Sequence, residues 1–73
     1  MRQSSRYTRQ MASQTVRDIM SGNDPSECVG KFNQWIEDHI TVGVPEDIIN
    51  RMDHVLVELT GHGYEWWTIQ SQY

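Results

Sequence analysis

Seventy-three residues, 37% of them apolar, make one small domain that buries only about 60% of the surface of its unfolded chain, leaving little room for a deep catalytic cavity. A single cysteine, Cys28, excludes an internal disulfide framework, and no apolar run approaches the roughly 18 residues that cross a bilayer. The net charge of −4 conceals a division: residues 1–17 hold four arginines and no acid, a charge of +4, whereas residues 18–73 set Lys31 and Arg51 against all ten acids, a charge of −8.

In chain order, residues 1–10 form a basic arm or an edge strand. Within it, Ser5, Tyr7 and Arg9 alternate with Ser4, Arg6 and Thr8, a period-two pattern. From Met11 the period becomes helical: Met11, Ala12, Thr15, Val16, Ile19 and Met20 share a broad half-circle, and Gly22 offers a left-handed stop. The clearest helix follows. Asp24 is its N-cap, Pro25 its first residue, and Glu27 can reach back to the N–H of the cap. Trp35, Cys28, His39, Phe32, Ile36, Val29 and Ile40 fall on one arc of about 140°, the face meant for the core.

Thr41, Val42 and Val44 interrupt that helix, and Pro45 starts another, in which Glu46 and Asp47 complement the N-terminal dipole. Ile48, Ile49, Met52, Val55, Leu56 and Leu59 give it an apolar arc of about 120°. Thr60, Gly61, His62 and Gly63 end it, and Tyr64–Gln70, dense in aromatic and β-branched residues, reads as a strand. A lone strand needs a partner for its backbone groups, and residues 3–9 can supply one. The expected fold is therefore α+β: a three-helix body with a small two-stranded antiparallel sheet formed by the N- and C-terminal segments, in one domain spanning residues 1–73.

No catalytic or metal motif stands out. Cys28, His39, His54 and His62 lack the paired spacings of zinc sites, so neither a metal nor a cofactor is expected; Cys28 reads as a core thiol and His39 as a largely buried histidine. Glu37–Asp38 and Glu46–Asp47 point in different directions around their helices and read as solvated charge. Two helices joined by a glycine-bearing turn suggest a helix-turn-helix, yet the third helix exposes Glu46, Asp47, Asp53 and Glu58 against one Arg51, so phosphates would repel it. Specific DNA binding is not expected. Trp66 and Trp67, as strand neighbours, would point to opposite faces, leaving one indole free to anchor an interface.

An acidic helical body, an arginine-bearing opening MRQSSRYTRQ and an aromatic terminal segment together resemble the small phage-encoded transcription regulators, of the Xanthomonas phage type, that bind host RNA polymerase. The resemblance implies a non-enzymatic protein of the host cytoplasm that docks on a polymerase subunit and blocks promoter-dependent initiation. From their chemistry alone, Arg2, Arg6, Tyr7, Arg9 and Trp67 are the expected partner-binding residues of a monomer: arginines for partner carboxylates, aromatics for apolar pockets. The alternative is a nucleic-acid-binding regulator acting through the N-terminal arm.

Overall fold

The computed structural model describes residues 3–39 and 43–72, with side chains of the first helix described from Arg6 onward. They form four helices, α1 (Gln3–Met20), α2 (Pro25–His39), α3 (Glu46–Thr60) and α4 (Tyr64–Gln70), and no strand occurs among the described residues. Packing runs in a ring: α1 lies on α2 and α3, and α4 lies on the same two helices from the other side. The backbones of α1 and α4 do not approach one another, and neither do those of α2 and α3. Side chains from three corners fill the middle, where Val29, Phe32 and Leu56 are wholly enclosed and Ile19, Cys28 and Met52 nearly so. Each large apolar side chain buried this way contributes about 1.5–3 kcal/mol.

The α+β expectation, with its two-stranded sheet, is overturned at both ends. Residues 3–10, expected as a basic arm or edge strand, are the first turns of α1. Their alternation carried no apolar face, so nothing favoured the extended form, whereas Thr8 continues the inward row of Met11, Ala12, Thr15 and Ile19 at helical spacing. Extending an existing helix adds one hydrogen bond per residue fixed, without a second nucleation. Thr15 occupies the interior because its hydroxyl donates to the Met11 carbonyl at 2.8 Å.

The segment expected as the second strand is α4, and its reason lies in a 3.6-residue period hidden by β-prone residue types. Tyr64, Trp67, Thr68 and Ser71 turn inward, while Glu65, Trp66 and Ile69 remain exposed. A helix satisfies its own backbone and needs no second strand. Seven residues would not hold alone, and α3 supplies the missing cap: the Tyr64 N–H donates to Asp53 Oδ1 at 2.8 Å. Gly63 precedes that bond with an ordinary φ of −89°, and a Cβ there would stand 2.2 Å from the same carboxylate oxygen. Glycine is needed at this position for room.

The sequence signals at the other helix ends hold. Gly22 (φ 104°) terminates α1 in a Schellman arrangement, its N–H bonding Ile19 O at 3.0 Å while the Asn23 N–H bonds Asp18 O at 3.1 Å. Asp24 caps α2 by accepting from the Ser26 N–H and hydroxyl, each at 3.1 Å, whereas the expected bond from the Asp24 N–H to the Glu27 carboxylate is not formed. Pro45 is the N-cap of α3, and Gly61 (φ 88°) closes that helix in the left-handed region. His39 departs from expectation: it is exposed, stacked on Trp35 with ring centroids 5.2 Å apart. Ile40, Thr41 and Val42 lie outside the described residues.

Candidate functional site

Two opposite seams of the ring differ. Between α2 and α4 a polar network crosses the seam: the Tyr64 hydroxyl donates to Asn33 Oδ1, and Asn33 Nδ2 donates to Thr68 Oγ1 at 3.1 Å. Towards the start of α2 the same seam opens into a polar hollow of about 650 Å³, lined by Asp24, Ser26, Glu27, Lys31 and Gln34 with Gln70 and Ser71. A Cβ on Gly30 would stand 3.2 Å from Ser71 Cβ, so the glycine in the middle of α2 lets the end of α4 come close. Burial pushes the Tyr64 phenol above its ordinary value of 10.0, keeping it a proton donor.

Between α1 and α3 the surface opens into a groove of about 550 Å³ with a more apolar lining. Its apolar lining comes from Ala12 and Val16 on α1 and from Ile48, Met52 and Val55 on α3. Arg9 and Arg17 stand on the α1 side and Arg51 on the α3 side, while no acid belongs to the lining. Three of the five lysines and arginines among the described residues thus border one groove, on a molecule whose net charge is −4. Arg9 is held by Asp47 at 2.9 Å, a pair whose side chains are 50% and 63% exposed and which contributes about 0–1 kcal/mol. Arg17 and Arg51 make no ion pair with any described residue.

Of the residues expected to bind a partner, Arg2 lies outside the described residues. Arg6 is exposed and forms no ion pair among them, and Tyr7 is 52% exposed on the same helix. Trp67 is half-buried against the core, with its indole N–H donating to Thr60 Oγ1 at 2.8 Å. That hydroxyl is fully used: it also accepts from the His62 N–H at 3.1 Å and donates to the Leu56 carbonyl at 2.8 Å. The more exposed indole is Trp66, stacked on His62 with centroids 3.6 Å apart and planes at 11°. Because the backbones of α1 and α4 stay apart, with α2 and α3 between them, the arginines of α1 and this aromatic platform belong to different parts of the surface.

Sequence reasoning missed Arg17 and Arg51 as site residues. Arg9, Ser13 and Arg17 at four-residue spacing, beside Ala12 and Val16, form a readable basic row, and Arg51 is the one arginine of α3, which has no lysine; only the packing of the helices unites them.

Elsewhere, Cys28 is buried, and its thiol is pushed above 9.0 by that burial and then by Asp18, with Asp24 and Glu27 adding and Lys31 opposing. A thiol so shifted stays protonated, the reverse of an activated nucleophile. Among the described residues no three His, Cys, Asp or Glu side chains converge to hold a metal ion, and no helix is long and apolar enough to cross a membrane. Comparison with protein-family models, with curated proteins and with solved structures returns no match.

Proposed function

We propose that this chain is a non-enzymatic protein-binding regulator that docks on a subunit of host bacterial RNA polymerase and inhibits or redirects transcription. One observation carries the protein-binding part: α1 is an ordered helix that presents Arg6 and Tyr7 to solvent, with no acid of the described residues neutralising Arg6, on a body otherwise rich in acids. Such a face is complementary to an acidic protein surface and is attracted to it over about one Debye length. Arg9 joins it by exchanging Asp47 for a partner carboxylate, a cheap exchange for so exposed a pair. Polymerase as the partner follows from the resemblance of the opening and the helical body to the phage regulators. The acidic surface of α3, with Glu46, Asp47, Asp53 and Glu58 all exposed, weighs against duplex DNA as the target.

The test is retention of purified Xanthomonas RNA polymerase on the immobilised chain, beside a low-salt titration with duplex DNA. Retention that disappears in the folded R6E/R9E variant is the expected result. Absence of polymerase together with tight DNA binding overturns this reading in favour of the nucleic-acid alternative.

A further inference from the structure

Resting on the protein-binding reading above, we infer that the groove between α1 and α3 receives an acidic amphipathic helix of the partner protein. Its apolar stripe lies on Val16, Ile48, Met52 and Val55, and its flanking carboxylates meet Arg9, Arg17 and Arg51.

Charge complementarity selects this occupant. Arg17 and Arg51 approach one groove from two helices without an acid between them, an arrangement that like-charge repulsion disfavours until an anion arrives. The floor between them is apolar, so the anion must bring apolar surface with it; a bare phosphate or a nucleic-acid backbone would leave Val16, Met52 and Val55 uncovered. Small residues on the α1 side, Ala12 and Ser13, allow a backbone to come near. From Arg9 to Arg17 the groove runs about 12 Å along α1, a little over two helical turns, which suits anchors at i, i+3 or i+4 and i+7. Planar guanidiniums on both walls can grip carboxylates through paired N–H donors.

The same features set this groove apart from the aromatic platform at His62 and Trp66. Nothing at that platform says what would cover it, whereas the groove states both the polarity and the charge of its ligand.

A designed peptide of about 14 residues, with leucines at helical spacing and glutamates on both flanks, is the probe. It is compared with a scramble of the same composition and with a version carrying lysine for glutamate. Titration into the full chain, followed by NMR chemical shifts, is expected to saturate and to move resonances of residues 9–17 and 48–55. In R17E/R51E, checked for unchanged helicity, the glutamate peptide should bind about tenfold more weakly, in line with the loss of two exposed ion pairs, and the lysine peptide should now bind. That reciprocal rescue cannot come from a folding defect.

Equal binding of the scramble, shifts centred on Trp66, indifference to R17E/R51E, or a concentration-dependent dimer that already covers the groove would each overturn the inference. Its fate is separable from that of the polymerase reading. Retention of polymerase by R17E/R51E with no peptide binding sinks the groove alone, and peptide binding without polymerase retention sinks the polymerase alone.

Discussion

The α2–α4 seam and the α1–α3 seam are built from the same number of helices and opposite chemistry. In the first, Gly30 admits Ser71 and the Tyr64–Asn33–Thr68 network uses up the polar groups that the contact buries. In the second, three guanidiniums border an apolar groove and only one of them has a partner. Both seams open at the surface, and the chemistry of the openings teaches where to look for function: the one at α2–α4 is lined by acids, a lysine and neutral polar groups, whereas the one at α1–α3 sets the unpaired Arg17 and Arg51 beside apolar side chains, a surface suited to a partner.

Substitutions can sharpen or break that contrast. The largest effect belongs to the centre shared by both seams: Phe32, wholly enclosed and edge-on to Tyr64 at 6.3 Å, should lose about 3–5 kcal/mol on replacement by Ala. Urea denaturation should then find much of the chain unfolded without denaturant; a loss under about 1 kcal/mol would mean the core is not where the contrast places it.

Next comes the hydrogen-bonded α2–α4 seam. Tyr64→Phe leaves Asn33 Oδ1 without its donor and should cost about 1–3 kcal/mol. The same residue gives the seam a pH signature. Since burial raises the phenol's pKa in the folded chain above 10.0, its contribution is fully present below the unfolded value and is lost as pH climbs through the folded one. Cys28, raised above 9.0 by burial, adds a loss of the same sign that begins lower. Denaturation midpoints should therefore fall on the alkaline side, and Tyr64→Phe should flatten the part above about pH 10 while leaving the cysteine part. An unchanged slope in that variant would remove Tyr64 from the seam.

Smallest is the arginine-bordered α1–α3 seam. Arg51→Gln should change stability by no more than about 0.5 kcal/mol, because Arg51 is exposed and makes no ion pair with any described residue. A destabilisation beyond about 1 kcal/mol, measured in the same urea series, would show that Arg51 holds the fold together and would erase the distinction between the seams.

Much of this could be read from residue order, and the failures have a common cause. Asp24, Gly22 and Gly61 announced helix ends because caps depend on neighbours only a few residues away. The faces of α2 and α3 were readable where apolar residues repeat, through Val29, Phe32, Met52 and Leu56. Tyr64–Gln70 was misread because aromatic and β-branched residues favour strands only when a strand partner and a pleated surface exist. Here α3 offered a cap at Asp53 and α2 offered Asn33, and neither residue adjoins α4 in sequence. Likewise Arg9, Arg17 and Arg51 gave no sign of sharing a site, since Arg51 lies on another helix.

By itself the chain's order of residues determined the helix stops, the apolar faces of α2 and α3 apart from the exposed His39 and Leu59, and the gathering of positive charge at the beginning against negative charge after it. Only tertiary structure decided that both end segments are helical, that Trp66 is more exposed than Trp67, and that three arginines border one groove. Local signals act through bonds and neighbours within a turn or two, whereas those outcomes depend on which distant surfaces meet, and that is settled only when the whole core is buried together.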